Sequence, residues 1–167
     1  MAFNVNTFKS NLNKGVARAA HYELDVGNSN VLYRAVSVSA PGRAVASTHS
    51  GVYGPMQEVV YSSIFTPITA TIILSPDHNE REFFSSWQDK ALPGTRGGGN
   101  FDIGYYSDYA DFRTVQIKQY EETGAKKRTI KLREAYPRAV GEISYSYMQS
   151  EYAVFTVTLQ YRFYTES

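Results

Sequence analysis

The amino-acid sequence predicts a mainly β protein with one helix, and three observations carry that prediction. Residues Tyr152 to Tyr164 (YAVFTVTLQYRFY) place Ala153, Phe155, Val157, Leu159, Tyr161 and Phe163 on one side and Thr156, Thr158, Gln160 and Arg162 on the other. That period of two fits a strand and not a helix. The chain also holds 14 Tyr and 9 Phe against 3 Met and 1 Trp, the aromatic excess of a sheet protein. Finally, short alternating runs bounded by Gly, Pro, Asn and Ser recur along the chain, and helical spacing occurs with conviction once.

Taken in order, the segment to about Lys14 mixes polar residues with Phe3, Val5, Phe8 and Leu12, the pattern of an amphipathic turn or an arm. Tyr22, Leu24 and Val26 alternate with polar neighbours, and Gly27-Asn28-Ser29-Asn30 leads to a second run from Val31 to Val38, which reads as a β-hairpin. Ala40 to Val60 is rich in small and polar residues with Pro41, Gly42, Gly51, Gly54 and Pro55, and reads as the longest irregular loop. A loop of that length in a compact domain is usually functional or ordered by a partner. Pro67 to Leu74 reads as a well-buried strand. The helix comes next: Asp77 and Glu80 stand at capping-box spacing, Phe83, Phe84 and Trp87 form a packing face, and Pro93-Gly94 ends it.

After the glycines of Gly94 to Gly99 comes a Tyr-rich segment, Tyr105 to Phe112. Arg113 to Tyr120 and Lys127 to Arg133 read as a hairpin turning at Gly124. Tyr136-Pro137 reads as a break, Glu142 to Met148 as a strand, and Gln149 to Glu151 as the turn into the terminal strand. At roughly 3.3 Å per residue that strand would extend on the order of 43 Å, about twice the usual length. A strand that outruns its own domain implies that another chain supplies part of its surroundings.

The length of 167 residues fits a single domain, 1–167. Zero cysteines exclude disulfides, thiolate chemistry and Cys-ligated zinc. Net charge is +1, so no whole-molecule field favours nucleic acid or anionic membrane. No 18-residue apolar run exists, so membrane insertion is not expected, and the N-terminus lacks a secretory pattern.

Catalytic, cofactor and metal sites are all expected to be absent. His21, His49 and His78 are scattered without ligand spacing, and Asp102, Asp108 and Asp111 do not match a calcium loop. The glycines of Gly94 to Gly99 follow a helix instead of joining a strand to one, so a connector fits better than a phosphate loop. Lys126-Lys127-Arg128 reads as a solvated turn, and Tyr105, Tyr106 and Tyr109 as an interface or core strap in preference to a base-stacking or sugar-stacking site.

Four stretches resemble the tail tube protein of contractile-tailed bacteriophages, a family related in fold to the type VI secretion tube protein. They are Phe8 to Val26, Thr69 to Gln88, Val115 to Gly124, and Ala135 to Tyr164 with its AYPRAVGEISYSY core. The resemblance implies a tail-tube-like, two-sheet β-barrel or sandwich with one flanking α-helix, and a structural virion protein that is not an enzyme. It implies hexameric rings stacked into a tube, with the sheath protein, tape measure protein, baseplate hub and tail terminator as partners. Double-stranded DNA would pass in transit without sequence-specific binding, so lumen-facing acids should at least balance bases. The protein would belong to the virion tail and be made in the bacterial host cytoplasm.

By family order, the candidate ring-stacking residues are Pro41, Gly42, Arg43, Tyr53, Gly54 and Met56. The candidate inter-subunit or lumen face is Thr156, Thr158, Gln160 and Arg162. Alternatives within the class are a tube initiator or baseplate tube protein, or a tailocin or type VI secretion homologue. Outside it stands a monomeric oligonucleotide- or carbohydrate-binding β-barrel.

Overall fold

A computed structural model describes residues 19–51, 54–94, 102–110, 113–146 and 152–167. Among these, ten strands and two helices follow in the order β1 (Tyr22–Asp25), β2 (Ala35–Val38), β3 (Arg43–Ser50), β4 (Gln57–Phe65), β5 (Ile68–Ile73), α1 (Asn79–Ala91), α2 (Tyr106–Ala110), β6 (Val115–Tyr120), β7 (Lys126–Arg133), β8 (Tyr136–Val140), β9 (Val154–Gln160) and β10 (Phe163–Glu166). The strands make sheet A, ordered β1-β6-β7-β10, sheet B, ordered β2-β5-β9-β8, and a separate two-stranded sheet of β3 and β4. Every pairing is antiparallel. The protein is mainly β, as the sequence predicts, and neither four-stranded sheet closes into a barrel among the described residues.

One apolar cluster joins the inner faces of both sheets. Leu24, Val115, Ile117, Ile130 and Leu132 come from sheet A, and Ile68, Ala70, Ile72, Phe155, Val157 and Leu159 from sheet B. Helix α1 adds Phe84 and Trp87, both fully buried. Phe84 meets Phe155 edge-on at 6.2 Å, and Phe83, half-buried, stacks edge-on against both helical neighbours at 5.1 and 6.0 Å. The Trp87 Nε1–H donates to the Tyr109 carbonyl at 2.7 Å, which ties α2 to α1. Tyr106 and Tyr109 pack edge-on against each other and against Tyr136, while Tyr105 is exposed.

Several sequence expectations change here. The run from Ala20 to Val38 is not a hairpin: β1 pairs with β6 in sheet A and β2 with β5 in sheet B, so the Gly27 turn carries the chain from one sheet to the other. Tyr136-Pro137 does not break the chain but opens β8, an edge strand, where a proline is tolerated because one side of the strand needs no partner. Glu142 to Ser146 carries no strand, and residues 147–151, with the predicted turn, lie outside the described residues, as does the N-terminal segment 1–18.

The terminal strand is also two strands. β9 lies in sheet B, the backbone bends at Tyr161 and Arg162, and β10 joins sheet A. The bend reverses the alternation, so Tyr161 stays buried, Phe163 turns outward, and Tyr164 packs inward against Phe65 and Tyr161. The hairpin of β6 and β7 is present as predicted, with Gly124 at φ +80 in its turn. Its basic cluster is charge-compensated: Lys127 pairs with Glu121 at 3.2 Å and Arg128 with Glu166.

The start of α1 differs from a capping box. His78 is the N-cap, in a left-handed conformation at φ 55, with no side-chain cap bond. Glu80 instead reaches back to accept from the Ser75 N–H and Oγ–H, each at 2.9 Å, and pairs with Arg34 at 3.1 Å. Burial raises the Glu80 pKa, but these donors, its own backbone N–H and the Arg34 charge outweigh it and hold the carboxyl below its ordinary value. At the other end, the Gly104 N–H donates to the Ala91 carbonyl at 2.9 Å. A side chain at Gly104 would put Cβ 2.0 Å from the Lys90 carbonyl oxygen, so glycine is required for that close approach.

The Glu80 clamp gives a pH prediction. A depressed folded pKa contributes stability above the unfolded value of about 4.3, and that contribution is lost as pH falls through the folded value. Glu80→Gln should cost about 1–3 kcal/mol at pH 7, because Arg34 and Ser75 lose a charged acceptor. Urea denaturation should show the gap between wild type and variant narrowing below about pH 4. A gap unchanged from pH 7 to pH 3 would refute the assignment.

Candidate assembly surfaces

Three surface features of the fold are candidates for contact with other chains. The first is the hairpin of β3 and β4, which occupies the stretch read from sequence as an irregular loop. The two strands pair from Arg43 with Phe65 to Ser50 with Gln57. A bulge between Ala46 and Ser47 leaves Tyr61 as the extra residue. At the base, the Thr66 N–H donates to the Gly42 carbonyl at 3.2 Å, and Phe65 packs on the core.

Beyond its base the hairpin is uncovered: Val45, Met56, Val59, Val60, Tyr61 and Ile64 are all exposed. The alternation of β3 puts the row containing Val60 on one face and the row containing Ile64 on the other, so apolar groups face outward on both sides. An isolated two-stranded hairpin is at best marginally stable in water.

The predicted stacking residues divide between its ends. Pro41, Gly42 and Arg43 sit at the base, Gly54 and Met56 lie near the tip, and Tyr53 falls outside the described residues. Eight paired positions at about 3.3 Å each separate the two groups by roughly 25 Å, so they cannot form one contact spot. Sequence reasoning missed the apolar residues between them. The signal was available in QEVVYSSIF, a run rich in β-branched and aromatic residues, but the glycines and prolines flanking it dominated the reading.

The second feature is the outward face of sheet B. Cross-strand register places Thr69 opposite Thr158 and Thr71 opposite Thr156, with Ser37 beside Thr71. Thr156 is exposed, and Thr158 and Gln160 are half-buried. Arg162 does not belong to this face. It sits in the bend, where its N–H donates to the Arg133 carbonyl at 3.1 Å and its guanidinium meets Glu134 at 2.9 Å.

The third is the outward face of sheet A, whose chemistry is opposite. Lys118 lies between Glu23 at 2.8 Å and Asp25 at 3.0 Å, and the Tyr120 hydroxyl donates to Glu23 at 3.1 Å. Hydrogen bonds to Glu23 and then Asp25 raise the Lys118 pKa. Lys131 and Arg133 continue the same row along β7. The outward side of sheet B is therefore rich in hydroxyls, and that of sheet A carries a row of charged groups.

The predicted histidines and the described aspartates stay apart on these surfaces. His21 precedes β1, His49 lies in β3 and His78 caps α1, and Asp102 and Asp108 are exposed while Asp111 is outside the described residues. Among the described residues, no three His, Cys, Asp or Glu side chains gather where they could hold a metal ion, and no helix is long and apolar enough to cross a membrane. An apolar cleft of about 220 Å³ opens between the sheets beside Tyr22, Val38, Ile117 and Ile130.

Comparison with known structures returns the same architecture. The chain is similar to the PVC sheath/tube terminator of an extracellular contractile injection system in the extended state, with a TM-score of 0.69, 14% identity, and coverage of 92% of this chain and 97% of that one. It is similar to a chain of the sheath-tube complex of such a system at a TM-score of 0.65 and 14% identity, with 99% of both chains covered. The likeness to Hcp1 from Flavobacterium johnsoniae is weaker, with a TM-score of 0.54, 13% identity, and 88% and 94% covered. No curated protein sequence gives a significant match. At such identities the neighbours establish the fold alone, and lineage comes from the sequence family described as phage tail tube protein, whose model matches residues 1–167. With the whole length matched and a tube-protein fold beneath it, this chain belongs to the phage tail tube protein family.

Proposed function

We propose that the protein is the bulk tube subunit of a contractile tail, assembling into hexameric rings that stack inside a sheath and conduct double-stranded DNA. The observation that carries this reading is the β3–β4 hairpin, whose apolar side chains are exposed on both faces in the single chain. A second copy in the next ring would cover it, and each Val or Ile side chain so buried contributes roughly 1.5–3 kcal/mol. Sheet edges give the lateral contacts: a heterologous interface that closes forms a ring and removes exposed edges.

The two outer faces support an orientation. The outward face of sheet B, rich in hydroxyls and with Arg138 as its single charge among the described strand residues, suits a lumen that DNA must slide through, and the more highly charged face of sheet A suits the tube exterior against the sheath. The tape measure protein, baseplate hub and tail terminator would contact the tube inside and at its ends. The virion tail is its location, after synthesis in the bacterial host cytoplasm. A second reading, an end-cap or baseplate tube protein, is favoured by the likeness to a sheath/tube terminator and to a chain of the anti-feeding prophage baseplate.

Negative-stain electron microscopy of the purified chain tests the proposal. Rings of uniform diameter that stack into tubes are the expected result. Single rings that never stack would favour the end-cap reading, and a monodisperse monomer at all concentrations would overturn both.

A further inference from the structure

The outward face of sheet B carries one charged side chain among its described strand residues. In β8, Pro137 pairs with Leu159 and Ala139 with Thr158, so a bulge sets both Arg138 and Ala139 against Thr158. Two residues of a bulge oppose one on the partner strand, and Arg138 accordingly shares the outward side with Thr156 and Thr158. It is exposed, and among the described residues no carboxylate pairs with it. Arg34, Arg128 and Arg162, in contrast, each have an acidic partner.

The rest of the face, Ser37, Thr69, Thr71, Thr156 and Thr158 with the apolar Val36, Ile73 and Val154, holds no charge. The expected balance of acids against bases is therefore not met on this face. β8 is also an edge, and at Pro137 it offers no N–H while its carbonyl accepts from Gln88 Nε2 at 3.3 Å. Arg138 is thus held beside a fixed point of the edge.

We infer that Arg138 is a phosphate contact: one guanidinium per subunit, repeated around each ring, that touches the backbone of DNA in transit. The inference rests on the tube reading with sheet B toward the lumen. A guanidinium matches a phosphodiester in charge and in fork geometry, and a face without acids leaves it no competing partner. One cation per subunit keeps the interaction shallow, because affinity for the duplex grows with each phosphate neutralised. The hydroxyl surroundings let the contact break and re-form as the strand advances.

The test uses preassembled tubes of wild type, Arg138→Gln and Arg138→Lys. Retention of a short fluorescent duplex is measured by co-sedimentation as salt rises from about 50 to about 200 mM. Wild-type retention should fall steeply with salt, the glutamine variant should retain about tenfold less at low salt with a flatter slope, and lysine should restore most of it. An acidic polypeptide serves as the competing cargo, and retention of it but not of the duplex would overturn the assignment to phosphate. Because the chain has no cysteine, Arg138→Cys and Thr156→Cys give unique labels. Both should react in intact tubes with a small maleimide and resist one coupled to a folded protein too large for the lumen. Reaction with the bulky reagent, or equal duplex retention by wild type and glutamine variant, would overturn the inference. Failure of the wild-type chain to form tubes would instead sink the tube reading.

Discussion

Replacing Val60 and Ile64 together by aspartate is expected to abolish tube formation and leave the two-sheet core folded. The two side chains lie on opposite faces of the β3–β4 hairpin and are exposed at 57% and 54%. In the free subunit, aspartate at either place is solvated, and a surface substitution of this kind shifts stability by only about 0.5 kcal/mol. In the proposed stacked ring the hairpin would be covered, and an unpaired carboxylate buried there would cost several kcal/mol. Each 1.4 kcal/mol lost per contact raises the concentration needed for assembly about tenfold, so two buried charges move it beyond reach. Electron microscopy and sedimentation of the double variant should show only small species, with the circular dichroism spectrum and Tm of the wild-type monomer. Tubes forming at wild-type concentrations would remove the hairpin from the interface, and a lost Tm would make it part of the core.

Trp87→Ala is expected to have the largest effect on folding. Its indole is fully buried between α1 and the core, edge-on to Phe83 at 6.0 Å, and its Nε1–H satisfies the Tyr109 carbonyl. Truncation removes that packing and hydrogen bond, leaves a cavity, and detaches α2 from α1, for a total of about 3–5 kcal/mol. In a protein of this size the Tm should fall on the order of 10 °C. Trp87 is the only tryptophan, so the variant must be followed by circular dichroism. Trp87→Phe should recover more than half of the loss, since it refills most of the volume and lacks only the N–H. Equal destabilisation by both variants would place the whole effect in the hydrogen bond.

The two predictions differ in how legible their residues were. Phe83, Phe84 and Trp87 announce themselves by helical spacing within a run that starts and stops on recognisable signals. The hairpin residues do not, because the flanking glycines and prolines carry the local signature of a loop while the strand pattern between them is irregular at the bulge. An exposed strand has no buried face, and periodicity measures burial. Where neither side is buried within the chain, the chain's own pattern says little.

Within one sequence, alternation determines which side of a strand is buried, and that was enough for β5, for the hairpin of β6 and β7, and for Phe155, Val157 and Leu159. Turn residues determine where the chain changes direction. Neither determines the partner of a strand, because pairing is a non-local contact whose hydrogen bonds are the same for any backbone. For that reason only the tertiary structure decided that the Gly27 turn crosses between sheets, that Pro137 sits on an edge, and that YAVFTVTLQYRFY bends at Arg162 to serve both sheets. Six apolar residues at alternate positions from Ala153 to Phe163 are compatible with one long strand. The bend follows from where β5 and β7 wait to be paired, and no residue within the strand records that.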